Sequence, residues 1–235
     1  MNRRLGLCVT VFFGLVLASA VRTARGGEFY YVMIFGSQSS PKLLRYTHTW
    51  ATFVRAVGEG PDPSAYSLEA HTISWLPQVL ELHVWRPWAE PGVNLDLYQT
   101  LDVVYSSREN VTMWGPFVTE KKIYDRSLWV LDVIASGAPR YRAISTPANL
   151  LISYCIHAVA AVDPDFGRGH YPLIRIGKPA SRYMARQLMI RSPFDQRAFD
   201  NSWLIPRLGL DRYPIEVVPP QRIPARNCFL CRCPE

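Results

Sequence analysis

The order of its local patterns constrains this chain more than any single residue does: strand-like segments come first and helical ones follow. Residues 28–35 (EFYYVMIF) are dense in aromatic and branched side chains and read as a strand. Residues 47–55 (THTWATFVR) read as a second, with His48, Trp50, Thr52 and Val54 on one face. Residues 71–75 and 80–85 give two more short strands, separated by Leu76-Pro77-Gln78. In the latter, Leu80, Leu82 and Val84 alternate with Glu81, His83 and Trp85, as on a half-buried strand. Residues 94–104 fit either period, since Leu95, Leu97 and Leu101 have helical spacing while Leu-Asp-Leu-Tyr alternates. Beyond Gly115-Pro116 the pattern turns helical. Thr119 and Glu120 open a helix that carries Tyr124, Leu128, Leu131 and Ile134, and Gly137 closes it. A second helix falls within residues 147–162, before Pro164, and a third spans 179–191, before Ser192-Pro193. Strands before helices imply an α+β fold. Its sheet is small and largely antiparallel, comes from the N-terminal half, and packs against helices from the C-terminal half.

The first twenty residues stand apart from that domain. Asn2-Arg3-Arg4, an apolar run over residues 5–17 and Ala18-Ser19-Ala20 follow the order of a secretory signal: basic start, apolar centre, small-residue cleavage site. The apolar run is short of the about 20 residues a membrane helix needs. The expectation is a signal peptide over 1–20 and one exported domain over 21–235, periplasmic or extracellular. The domain ends in a proline- and cysteine-rich tail over about 215–235. That length suits a single core. The net charge of +7 becomes +5 without Arg3 and Arg4 and is dispersed along the chain. Arg175, Lys178, Arg182, Arg186 and Arg191 come nearest to a patch, at the spacing of a solvated helix face. They fit an anionic envelope polymer, while no nucleic-acid-binding motif is present, which excludes that class.

Of five cysteines, Cys8 leaves with the signal, and Cys228, Cys231 and Cys233 crowd into the tail. In an oxidising compartment the four that stay suggest disulfides first, including one from Cys155 to the tail. The tail trio has thiolate-ligand spacing but no second half-site of the usual zinc type, so no metal is expected.

Three short segments carry candidate chemistry: Thr47-His48-Thr49-Trp50, Glu69-Ala70-His71, and Asn149-Leu150-Leu151-Ile152-Ser153-Tyr154-Cys155 followed by Ile156-His157. In this order, with the run from Thr119 to Val162 that includes Gly137-Ala138-Pro139-Arg140-Tyr141, they resemble the circularly permuted papain-like hydrolases of bacterial envelopes. The resemblance covers about residues 30–162. It implies Cys155 as nucleophile, His48 as base, and His71 or Glu69 as the group orienting the imidazole, with His71 preferred. The implied reaction is hydrolysis or acyl transfer at an amide, thioester or ester, on a peptide, peptidoglycan or lipid acyl group. Backbone N–H groups would stabilise the oxyanion, without a cofactor.

The physics asks that the thiol sit at a helix start beside an imidazole, where its pKa falls. Thr146-Pro147 is itself a strong helix start, which would place Cys155 two turns in. The alternative start, near Ser153, suits the chemistry. A non-catalytic envelope protein that binds or supports other molecules is the competing expectation. Deep burial of Cys155 without a histidine neighbour favours it, and an open cleft joining Cys155 to His48 favours the enzyme. A metal-dependent hydrolase using His48, His71 and His170 lacks a recognisable ligand motif.

Overall fold

The computed structural model describes residues 27–60, 62–83, 86, 88–143, 152–163 and 176–224. The signal segment, His170 with its glycine-rich surroundings, and the tail cysteines lie outside the described residues.

Two long antiparallel strands form the spine: β1 (Gly27–Gln38) and β2 (Thr47–Gly58), paired without a break from Gly27 opposite Gly58 to Gln38 opposite Thr47. β3 (Ser67–Ile73) joins the far side of β2. Short β4 (Trp75–Pro77) and β5 (Gly92–Asn94) pair separately. Helix α1 (Leu97–Ser106) leads into β6 (Asn110–Thr119), which pairs antiparallel with β1. Helices α2 (Lys121–Ala135), α3 (Cys155–Ala160), α4 (Lys178–Arg191) and α5 (Leu204–Arg207) follow. Finally β7 (Glu216–Val218) adds to β6 in parallel. The result is α+β with a mixed five-stranded sheet in the order β3-β2-β1-β6-β7.

Side-chain alternation sends each strand's residues to opposite faces. Tyr30, Val32, Ile34, Ala51, Phe53 and Ile73 meet α2, α3 and α4 on one face. Tyr31, Met33, Phe35, Trp50 and Val54 meet Leu97, Leu101 and Val104 of α1 and Leu204 of α5 on the other. Helices therefore cover both faces, and α1 reaches the second from the N-terminal half. That corrects the expectation that the packed helices come from the C-terminal half, and β7 corrects the expectation that the whole sheet comes from the N-terminal half.

Three local outcomes differ from the sequence reading. Residues 94–104 resolve as a helix from Leu97, because Asp96 and Gln99 form a reciprocal capping box. The helix does open after Glu120, but the stretch around Gly115-Pro116 that precedes it belongs to a strand the sequence reading did not contain. That stretch is a bulge inside β6, where the register with β1 shifts and Gly115 takes φ +108°. The one extra residue brings Trp114 and Phe117, three apart, onto the same face. Residues 80–83 form no strand, because Leu80 closes a turn onto Pro77 with φ +58°.

Candidate functional site

Cys155 is the first residue of α3, with Tyr154 as N-cap. The helix start required for thiol chemistry is therefore where the Ser153 alternative put it; residues 146 and 147 lie outside the described ones. The thiol is free and buried, 8 % exposed. Burial pushes its pKa up to about 11. The backbone N–H groups of Thr49, Ile156 and Cys155 itself act in the opposite direction, and the charge of Glu109 raises it further. The resting group is a neutral thiol.

His48 lies on the other face of β2. Its ring stacks on Trp50, with centroids 5.4 Å apart, whereas α3 packs with Ala51 and Phe53 on the opposite side. His48 Nε2 is 2.9 Å from Ser74 Oγ. Ser74 N–H in turn donates to Asn94 Oδ1 at 2.8 Å, and Asn94 Nδ2 donates to the Thr72 carbonyl at 2.9 Å. His48 is 3 % exposed, burial pushes its pKa down to about 3, and Nδ1 has no partner among the described residues. It makes no hydrogen bond with the Cys155 thiol.

His71 shares the face under α2, α3 and α4 with Cys155 but stands opposite Phe53 on β2, four residues from Thr49, or about 13 Å along the strand. Its ring stacks on Phe53, packs edge-on against Tyr124, and Nε2 is 2.6 Å from Ser127 Oγ. Burial pushes its pKa down to about 4. Glu69 is exposed at the sheet edge and accepts from Arg55 at 2.9 Å. The His157 ring packs at a tilt against Tyr154, with centroids 4.1 Å apart. The four residues assigned to one catalytic centre thus occupy separate places, and among the described residues no imidazole is bonded to the thiol. Within the expected basic face, Lys178 lies 3.5 Å from Glu216 and Arg191 3.0 Å from Asp163, so two of its charges are met by carboxylates.

What the fold does assemble around His48 is a different group. Ser37 stands directly opposite His48 in the β1–β2 register, and its hydroxyl donates to Glu109 Oε2 at 2.5 Å. Glu109, just before β6, is 7 % exposed, and burial pushes its pKa up to about 7 against the Ser37 hydrogen bond. His48 and Glu109 line a cleft of about 240 Å³ with Tyr46, Leu76, Leu82 and Val104, and Arg45 and Glu81 also border it. A larger groove of about 330 Å³ runs between the end of β6, α2 and α4. Its charged residues are already engaged, Arg191 with Asp163, Lys122 with Glu120, and Arg126 with the Ala161 carbonyl and the Trp129 ring, and it holds none of the candidate catalytic residues. The smaller cleft is chemically the richer.

Sequence reasoning missed Ser37, Ser74, Asn94 and Glu109. Alternation along residues 71–75 does put Ser74 on the face opposite His71. Nothing in Ser-Ser-Arg-Glu-Asn, a loop-like stretch, signals that Glu109 is buried. No protein-family model matches this chain, and neither a curated protein nor a solved structure is significantly similar to it.

Proposed function

We propose that this protein is an exported, non-catalytic binding domain whose ligand occupies the cleft beside His48 and Glu109. The observation that carries the reading is the separation of thiol from imidazole. Cys155 is buried and neutral on one face of β2, and His48 serves Ser74 on the other. A thiol becomes a nucleophile only as the thiolate, which requires a base or a cation beside it. Export rests on the N-terminal sequence pattern. Among the described residues no helix is long and apolar enough to cross a membrane.

One observation favours the second reading, an exported cysteine hydrolase or acyltransferase of permuted papain-like type. α3 begins at Cys155, and three backbone N–H groups act on its sulfur. In that reading the pair must be completed by an imidazole brought to the thiol on substrate binding. Iodoacetamide labelling of Cys155 against pH, located by mass spectrometry, separates the two. The binding domain gives slow labelling that rises only toward pH 11 and is unchanged in His48→Ala. Fast labelling well below pH 8.5, lost in His48→Ala, makes the protein an enzyme.

A further inference from the structure

At the end of the hairpin where β1 turns into β2, the fold presents apolar side chains that its core does not use. The joining loop (39–46) is braced from within. Ser39 N–H donates to the Tyr46 carbonyl at 3.0 Å, Leu43 N–H donates to Ser39 Oγ at 3.1 Å, and Thr47 Oγ1 donates to the Leu44 carbonyl at 2.8 Å. That bracing nevertheless turns Leu43 and Leu44 outward. Arg45 and Tyr46 of this loop border the cleft beside His48, and Leu80 and Leu82 border it from the turn after β4. Leu43, Leu44, Val79, Leu80 and Trp88, the last two further along between β4 and β5, are each between 42 % and 64 % exposed. Large apolar side chains gathered at one surface mark an interaction site more often than scattered ones do. Leu80 is unusual in two respects: its φ of +58° suits glycine, and its side chain faces water. Stability alone favours another residue there.

We propose that this end of the molecule docks on an anionic lipid bilayer, with Leu43, Leu44, Val79 and Leu80 entering the interface and Lys42 and Arg45 meeting the headgroups. Among the described residues neither base forms an ion pair. Lys42 Nζ donates to the Ile176 carbonyl at 3.4 Å, and the Arg45 guanidinium lies 4.8 Å from the centre of the Tyr46 ring. On the opposing segment Glu90 is held by Arg86 at 2.8 Å, and Glu81 has His83 3.9 Å away. Aliphatic tips beside lysine and arginine, with an exposed tryptophan, match the composition that seats a protein at headgroup level. A protein partner is anchored more by Trp, Tyr and Arg than by Leu and Val. A second copy on the same face would bring Lys42 and Arg45 of both chains into one interface. This inference goes beyond the binding-domain reading and does not rest on it.

The test is co-sedimentation of the exported protein with vesicles of mixed phosphatidylglycerol and phosphatidylcholine, and with vesicles of phosphatidylcholine alone. The mixed vesicles are expected to bind it about tenfold more tightly, and added salt to weaken that binding. The double variant Leu44→Ser/Leu80→Gly keeps every charge and should bind the mixed vesicles about tenfold more weakly. Its thermal midpoint should stay at or above the parent's, because both side chains face water and glycine suits the positive φ at position 80. Parent and variant share one N-terminus and one net charge, so a difference between them reports these two loops rather than the apolar start of the chain or its general basicity. Equal binding by parent and variant, equal binding to both kinds of vesicle, or no binding at all overturns the proposal. Concentration-dependent dimerisation in sedimentation velocity, lost in the variant and without vesicle binding, overturns it in favour of a second copy.

Discussion

At the scale of single residues, an imidazole that stays neutral down to about pH 3 and lies 2.9 Å from a buried hydroxyl organises its surroundings more readily than it exchanges protons. His48, Ser74 and Asn94 form a chain that ties β2 to the segment joining β3 and β4, and Asn94 extends it to the Thr72 carbonyl. Ser74 is fully buried, so Ser74→Ala leaves His48 Nε2 with neither protein nor water to meet it. That variant is expected to lose about 1–3 kcal/mol of stability in urea unfolding. Unchanged stability would mean that the His48–Ser74 contact contributes nothing to the fold. Cys155 lies outside this chain and should label at the same rate in Ser74→Ala, which the iodoacetamide assay checks directly.

At the scale of elements, the packing of α4 depends on the absence of a side chain. A Cβ at Gly36 would lie 2.5 Å from Ser181 Oγ, 2.8 Å from Ser181 Cβ and 3.1 Å from the Lys178 backbone. The helix sits directly on β1, and Ser181 also meets Thr49 Oγ1 at 3.0 Å. Gly36→Ala is therefore expected to push α4 outward and to cost about 1–3 kcal/mol, read as a lower thermal midpoint. An unshifted midpoint would show that α4 slides without penalty. The elements readable in the sequence are those whose period is uninterrupted: β1, β2, α2 and α4 lie close to where their patterns put them. β6 was hidden because Gly115-Pro116 looks like a chain reversal, and only its pairing with β1 reveals a bulge within a continuous strand. For the site, alternation along β2 already placed His48 with Trp50. What local pattern could not supply was the face on which α3 would land, because long-range packing of Ile156, Ala158 and Val159 against the sheet decides it. The same limit hid Glu109, whose burial depends on Ser37, more than seventy residues away in sequence.

At the scale of the whole molecule, buried titratable groups set how stability varies with pH. Burial holds the native pKa values of His48 and His71 near 3 and 4, below the ordinary 6.5. Around pH 5.5, unfolding therefore lets both rings take up a proton. Glu109 acts in reverse: with a native pKa near 7 against the ordinary 4.5, it keeps a proton that the unfolded chain has released. Net, the unfolded state binds about one proton more, so stability rises with pH by about 1.4 kcal/mol per pH unit there, and His157, also shifted down, adds to the rise. Glu109→Gln removes the opposing contribution and should roughly double the slope, measured by urea unfolding at pH 5, 5.5 and 6. A flat or falling profile in the parent protein would show that these imidazoles are charged in the native state. The sheet's strand order has a consequence of another kind. β3, β2, β1 and β6 are all drawn from residues 27–119, whereas β7 arrives from residues 216–218. A chain delivered N-terminus first, by a ribosome or through a translocation pore, can close its four antiparallel strands when about half of it has emerged. The parallel edge strand is added last, as a clasp on a sheet already formed.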